Sequence, residues 1–552
     1  MAHSFTSIDR DVFQAQLVGI AEEMSRALRR SAYSPIIWDM YDYSCAIFTP
    51  AGEMLAQSET IPAQLGTMST ALEGVRRAIP LDRWKMGDIL ICNDPYRGCA
   101  HTSDFTLFSP VFDGDTIVAI TSTIAHHIDV GGRSPGTTAL DNTEIFAEGL
   151  VIPPVRLVDG GKTSDVVMEF IRSNVRYPDA TLGDLQAQMA GCLTAERRLG
   201  EVVARYGCRG FADLAEAMLD YGDRYTKVMI SQFPDGEYAA ETLIEDEIAS
   251  PDLVRLSVRL AIAGSRLHID FAGTSEQRPF GLNCPWASTV SMARYAAKCM
   301  ISPDTPQNGG FDRSVSITAP AGSVLNPVTP AAVSARHLTQ QAVADVVLKA
   351  FVSAAPACGA AGSQISFPVF RAEGVDDRPR RPRRGARRYI IADILGGGMG
   401  GSPAVDGLNA VDTHGGNCGL LSAEIMETMS PIRVLRSALV PGSGGEGQHR
   451  GGLAIERDYE FLAQTTTASA KLQQMSAATA PWGAAGGGAG ATGFAMLQPD
   501  TSSQELIPAR DQRLVFMRGD TIRVRGAGGG GYGDPTLRSD EDRKRDLDEG
   551  FV

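Results

Sequence analysis

The stretch HTSDFTLFSPVFDGDTIVAITSTIAHHID, residues 101–129, reads as two strands, 105–112 and 116–125, folded about the turn Asp113-Gly114-Asp115. If Phe112 faces Thr116, antiparallel pairing places His101 opposite His127 and Thr102 opposite His126. Pro110 lacks a backbone donor and invites a bulge, so the register can slip by one. Adjacent strand residues point to opposite faces, so His126 and His127 do not both serve one ion. His101 and Asp104, three apart, converge only in a turn, which makes residues 101–104 a loop at the mouth of the hairpin.

Outward from this hairpin the pattern alternates between sheet and helix. Upstream, 89–92 is a short apolar strand running into the loop 93–98, and 43–48 and 54–57 form a hairpin about Thr49-Pro50-Ala51-Gly52. Phe13, Leu17, Ile20, Met24 and Leu28 mark an amphipathic helix over 9–32, with Ser7 or Asp9 as its cap. Downstream, 164–230 is helical with breaks near Tyr177-Pro178 and 207–210. From 231 the period becomes two: Leu256, Val258, Leu260 and Ile262 alternate with polar neighbours and turn at Gly264-Ser265 into 267–271. Helix returns at 286–301 and 338–354, and beyond 430 short β-like segments alternate with glycine clusters. The expected class is α+β, mixed and multi-layered, with antiparallel sheets. Its parts are an N-terminal α/β region (1–230) bearing the histidines, a central antiparallel-sheet and helix region (231–430) and a β-rich, glycine-rich C-terminal region (431–552).

Composition removes several classes of function. With 51 Lys+Arg against 65 Asp+Glu the formal charge is −14, which offers no footprint for nucleic acid or an anionic membrane. The seven arginines between Arg378 and Arg388 lack interleaved aromatics and read as a solvated loop. Nine cysteines without a C-x-x-C pair, no apolar run long enough to span a bilayer and no leader-like N-terminus suggest a reduced, soluble, cytoplasmic protein. Gly160-Gly161-Lys162-Thr163 mimics the end of a phosphate loop, but position 156, where another glycine is required, is Arg156. Gly396, Gly398, Gly401 and Gly526, Gly528, Gly531 both satisfy G-x-G-x-x-G, yet Ser402-Pro403 and Tyr532-Gly533-Asp534-Pro535 follow where a helix should face the pyrophosphate. No ATP or NAD site is expected on this chain.

Of eight histidines, His101, His126 and His127 crowd into the quoted stretch, with Asp94, Asp104 and Asp129 around them. Two imidazoles with one or two carboxylates make a borderline-to-hard site suited to one divalent Zn, Mn or Fe ion. Such an ion polarises a carbonyl or generates hydroxide near neutral pH. The plain alternative is a polar hairpin with hydrogen-bonded histidines. Cys99 reads as a buried inert thiol. Glu148 is either a general base or an exposed loop carboxylate.

The strings DYSCAIFTPAGEMLAQ from Asp42, NDPYRGCAHTSDFTLFSPVF from Asn93, AHHIDVGG from Ala125 and EGLVIPPVRL from Glu148 resemble the hydantoinase B family, which includes 5-oxoprolinase C-terminal halves and the large subunits of acetone and acetophenone carboxylases. FAGTSEQ from Phe271, PQNGGFDRSVSITAPAGSVLNP from Pro306, GSGGEGQHRGG from Gly442 and GAGGGGYGDP from Gly526 continue the likeness along the chain. The resemblance implies metal ligands at Asp42, His101, Asp104 and His126, with His127 and Asp129 behind them to orient those ligands. It also implies a hydantoinase A-type partner that uses ATP to phosphorylate the carbonyl of a small-molecule substrate, which would account for the missing nucleotide loop. On this basis the chain is expected to be the B-type subunit of an ATP-dependent hydrolase of a hydantoin, lactam or 5-oxoproline-like ring. A ketone carboxylase subunit and a non-catalytic scaffold are the alternatives.

Overall fold

The structure, a computed structural model, describes residues 5–136, 139, 141–246, 253–305, 307–378, 387–507 and 513–552. Helix α1 (Ser7–Ser31) buries the expected stripe, but its cap is Thr6 and not Ser7 or Asp9. The Thr6 hydroxyl accepts from Asp9 N at 3.2 Å while the Asp9 carboxylate accepts from Thr6 N at 2.8 Å. Asp9 therefore occupies the third helical position of a reciprocal capping box.

After the short helix α2 (Pro35–Trp38) come β1 (Tyr43–Phe48), β2 (Met54–Gln57), α3 (Pro62–Ala78), β3 (Ile89–Cys92), β4 (Asp104–Asp113), β5 (Thr116–His126), β6 (Val155–Asp159) and β7 (Lys162–Thr163). They build an antiparallel sheet in the order β2-β1-β5-β4-β3-β6-β7. Helices α4 (Asp165–Asn174) and α5 (Pro178–Ile230) follow, α5 running across a break at Gly207, whose φ of 72° leaves the helical region. Leu185 and Cys192 of α5 cluster with Phe105 and Leu107 on one face of the sheet, while Met68, Leu72 and Val75 of α3 meet Phe108, Ile120 and Ile124 on the other. With both faces covered, β4 is buried over most of its length and shows no polar alternation.

The hairpin register differs from the expected one by two residues. Asp113 pairs with Thr116, so the turn holds only Gly114 and Asp115, and a bulge between Val111 and Phe112 adds the second residue of offset. Asp104, not Thr102, consequently stands opposite His126. The bulge adjoins Pro110, whose missing N–H weakens the ladder there.

Beyond α5, β8 (Gly236–Ile244), β9 (Val254–Ala263), β10 (Arg266–Asp270) and β11 (Val315–Thr318) form a second sheet, β11 joining β10 in parallel. Helices α6 (Trp286–Ile301) and α7 (Arg336–Ala354) connect it to the rest of the molecule, α6 packing on α3 and α7 on β8 and β9. Helix α7 starts two residues before the expected 338, which puts Arg336 in its first turn.

The remaining elements are β12 (Val369–Asp376), β13 (Arg387–Ile394), α8 (Ala423–Met429), β14 (Ile432–Leu439), β15 (Ile455–Phe461), β16 (Thr465–Lys471), β17 (Phe494–Leu497), β18 (Glu505–Ile507), β19 (Leu514–Met517), β20 (Thr521–Arg525) and α9 (Asp540–Asp548). They give a third sheet, β13-β12-β16-β19, and a fourth, β14-β15-β20-β17-β18. Strands from either side of residue 431 thus share one sheet. Phe370 of β12 stacks on Tyr459 of β15 at 4.0 Å and joins the two layers. Most of the arginine-rich insert, 379–386, lies outside the described residues; Arg378 itself pairs with Asp376 and donates to Glu427 O.

The glycine clusters at 396–401, 442–452, 483–493 and 526–531 lie backbone against backbone. Gly398 N donates to Ala527 O at 3.0 Å, Gly529 N to Gly452 O at 2.9 Å, Gly445 N to Gly529 O at 2.8 Å and Gly531 N to Gly488 O at 2.9 Å. A Cβ on Gly398 would overlap the backbone of Gly452 and Gly529. Close chain approach, not phosphate binding, accounts for both G-x-G-x-x-G strings.

Candidate metal centre

Three neighbouring strands of the first sheet end or begin at one rim. Asp42 immediately precedes β1, Asp104 opens β4 and His126 closes β5, with His126 N bonded to Asp42 O at 3.1 Å. The turn expected over 101–104 is present: Asp104 N donates to His101 O at 3.1 Å, which folds the His101 side chain back over the start of β4. Asn93 fixes this turn from the β3 side, its Nδ2 donating to Thr102 O at 2.6 Å.

His101 Nε2 lies 2.8 Å from Asp104 Oδ1, His126 Nδ1 lies 3.1 Å from the same oxygen, and the two ring nitrogens are 3.2 Å apart. Asp42 Oδ2 is 4.0 Å from His126 Nδ1. Donor atoms about 2.1 Å from a single divalent ion sit roughly 3.0–3.4 Å from one another in octahedral or tetrahedral geometry, so His101, Asp104 and His126 fit around one such ion with little movement. Asp42 closes the set from slightly farther out. Among the described residues these first three form the cluster whose ligand atoms all fall within 4.8 Å of one another.

The charge states suit a cation. Burial, with Arg336 nearby, pushes His101 down to about 3, so its imidazole is neutral and keeps a lone pair. Burial resists ionisation of Asp104, but His101, His126 and Arg336 overcome it and hold the carboxyl well below its ordinary range. Burial pushes Asp42 up to about 6 against the pull of His126. Gln64 Nε2 donates to Asp42 Oδ1 at 2.7 Å, and Arg336 Nη2 donates to Asp104 Oδ2 at 3.1 Å, each turning the other carboxylate oxygen toward the histidines.

The cluster lines a cavity of about 70 Å³, room for roughly five waters, which is the scale of a small ring. Ile36, Ile61, Phe367, Val369 and Ile394 give it apolar walls, and Arg336, His337 and Gln340 from α7 a polar one. Cys418 also lines it, its thiol raised well above the usual range by burial and by Asp42 and Asp412, so no thiolate enters the donor set. Gln64, Arg336, His337, Gln340 and Arg371 carry no local motif; only tertiary packing brings them here. A hint for Arg336 was the strongly polar start of an otherwise apolar helix, Arg336-His337.

The remaining candidates sit elsewhere. His127 points away from the cavity toward α5, where its Nε2 meets Gln188 Oε1 at 3.0 Å and its ring packs on Phe105. Asp129 organises the loop after β5, accepting from Gly131 N, Gly136 N and Arg176. Their side chains are thus engaged with groups other than the four candidate ligands. Glu148 is neither exposed nor at the cavity. It is sealed from solvent, its Oε1 accepts from Val333 N at 2.6 Å and Ser334 N at 2.8 Å, and burial pushes its pKa up to about 8. Its main-chain carbonyl accepts from Thr102 Oγ1 at 2.8 Å. Glu148 therefore ties the ligand turn to the segment that delivers Arg336. Cys99 is buried against Cys92, and both that contact and burial raise its thiol, in keeping with an inert role. The nine cysteines, all among the described residues, form no disulfide, and no helix among those residues is long and apolar enough to cross a membrane.

A putative D-/L-hydantoinase B-type subunit of Pseudomonas sp. strain NS671 is 31% identical over 562 residues, covering 98% of this chain and 92% of that protein. The crystal structure of the ATP-dependent caprolactamase from Pseudomonas jessenii superposes with a TM-score of 0.91 at 26% identity, over 100% of this chain and 95% of that one. The nucleotide-free structure of acetone carboxylase shares the fold, with a TM-score of 0.88 at 18% identity over 98% of this chain and 78% of that one. The profile described as hydantoinase B/oxoprolinase matches residues 6–535, and the chain belongs to that family.

Proposed function

We propose that this chain is the metal-bearing B-type subunit of an ATP-dependent hydrolase of cyclic amides: hydantoins, lactams or 5-oxoproline-like rings. The observation that carries the proposal is the meeting of two neutral imidazole nitrogens and a held carboxylate, with Asp42 beside them, in a ring-sized and mainly apolar cavity. A zinc, manganese or iron ion bound there would supply Lewis acidity toward a carbonyl and lower the pKa of water. The chain's own residues do the rest. Asp104 stays ionised and is aimed by Arg336; Asp42, aimed by Gln64, is poised near its pKa at the cavity edge and is placed to accept a proton; the apolar walls exclude bulk water and favour a flat, uncharged ring.

ATP chemistry is assigned to a partner, an A-type ATP-binding subunit that phosphorylates the ring carbonyl. One relative is itself the B-type member of a multi-subunit hydantoinase and another is an ATP-dependent caprolactamase, and both support this division of labour. The use of both G-x-G-x-x-G strings for chain packing supports it from the side of this chain. The acetone carboxylase fold keeps a second reading in view, in which the same centre serves ketone carboxylation. Bicarbonate-dependent ATP consumption would identify that case.

Metal analysis provides the direct test. The purified chain is expected to carry about one divalent ion, lost in His101→Ala and Asp104→Ala together with ATP-dependent ring opening in the presence of the partner. Full metal content and full turnover in both variants would defeat the proposal.

A further inference from the structure

The third sheet presents a second polar constellation behind the wall of the metal cavity. On β12, Val369, Arg371 and Glu373 alternate onto one face. Across the β12–β16 ladder they stand opposite Lys471, Ser469 and Thr467. β19 continues the ladder on the far side of β16, with Leu514 opposite Ala468, so Arg513 lies next to Ser469 at its end. The loop after β5 covers this face: Arg371 Nη1 donates to Gly136 O at 2.5 Å and Arg513 donates to Ser134 Oγ. Between them is a cavity of about 30 Å³ lined by Ser134, Arg371, Glu373, Ser469, Lys471 and Arg513. Arg371 also lines the metal cavity, so the two spaces share a wall.

Charge and size together define what this space suits. Lys471 is 2% exposed and Arg371 9%, in a chain whose formal charge is −14. Three cations and one carboxylate surround room for roughly two waters, the volume of one small oxyanion. A guanidinium fork, an ammonium and hydroxyls at close quarters are the donors that phosphate takes. The positive potential extends to the metal cavity: burial, followed by Lys471, Arg336 and other nearby positive groups including Arg371, keeps His337 neutral. Burial raises Glu373 against the pull of Arg176, Arg388 and Arg513, which weakens the one opposing charge.

We propose that Arg371, Lys471 and Arg513, with the hydroxyls of Ser469 and Thr467, form an oxyanion subsite beside the metal centre that holds the phosphoryl group carried by the activated substrate. This rests on the ATP-dependent reading above. It places the phosphoryl group on the sheet side of Arg371 and the ring on the metal side. A phosphoryl dianion reaches the subsite either on the substrate or as free phosphate, and the two sources are separable.

Calorimetric titration of the metal-loaded chain with inorganic phosphate is expected to show saturable binding, weakened about tenfold or more in Lys471→Gln and measurably in Arg513→Gln. The rim position of Arg513 makes that variant the safer test of folding, checked by circular dichroism. In the complete enzyme with its ATP-binding subunit, using hydantoin and 5-oxoproline as probes, phosphate should inhibit competitively with the ring. The same variants should relieve that inhibition and lower kcat/KM for the ring while leaving the KM for ATP unchanged. Absence of saturable phosphate binding, or equal binding in both variants, overturns the subsite even where rings are turned over. Phosphate that binds yet leaves the ring's KM untouched overturns its assignment to the substrate. Binding that is lost in the variants while no ring is ever opened keeps the subsite and removes the cyclic-amide reading instead.

Discussion

Asp104 is engaged from three sides, by His101, His126 and Arg336, whereas Glu148 is engaged from one, and this difference sets their opposite responses to burial. Asp104 gains enough opposite charge and hydrogen bonding to remain ionised; Glu148 receives two peptide N–H groups at Oε1 and none at Oε2, and stays protonated to about 8. The folded state therefore holds a proton that the unfolded chain releases near 4.5. The stability tied to that proton is complete below the unfolded pKa and is lost as pH rises toward 8, by up to about 1.4 kcal/mol per unit. Urea midpoints between about pH 5 and pH 8 should fall for the native protein, and the slope should flatten in Glu148→Gln, which keeps the acceptor to Val333 and Ser334. Asp42 makes the matching prediction for metal. Its carboxyl must ionise to act as a ligand and is held at about 6, so zinc affinity measured with a chromophoric competitor should rise as pH passes through that value. In Gln64→Leu the affinity should be lower by roughly 10- to 100-fold, because the carboxylate loses its orienting donor.

At the scale of elements, the centre depends on hairpin register. Alternation, turn residues and the His101–Asp104 spacing made both strands and the loop legible, because each is a local property of a few residues. The two-residue offset was not, because turn length and bulge position are chosen by how the sheet packs between α3 and α5. That offset pairs Asp104 with His126. Deleting Val111 should remove the bulge and slide β4 by one residue, sending Asp104 to the face that packs on α5. The expected result is a chain that retains helix by circular dichroism but no longer binds metal; metal binding at native affinity would show that the bulge is dispensable. The early start of α7 was equally hidden, since the bonds from Arg336 to Ala100 O and Asp104 connect residues over two hundred positions apart. The stripe of α1 was plain, while its cap moved one residue because Asp9 bonds back to Thr6 and not forward.

For the whole molecule, the glycine-rich strings posed the main ambiguity, and their order along the chain said little about their use. In three dimensions they are layers of one backbone stack, so substitutions should divide by neighbourhood. Gly529→Ala places a methyl group against Met399 O and is expected to abolish soluble folding, whereas Gly442→Ala meets no neighbour and bears only the strain of a φ of 68°, on the order of 1 kcal/mol. Comparable yields and melting temperatures for the two variants would contradict this account. The placing of Arg336 has a further consequence for how the protein is made. All four candidate ligands lie within the first 126 residues, while the walls that enclose them come from α7, residues 367–371 and residues 415–418. During synthesis from the N-terminus the nest of donors would be complete before its roof has emerged from the ribosome, leaving an interval in which an ion can enter without any opening of the mature chain.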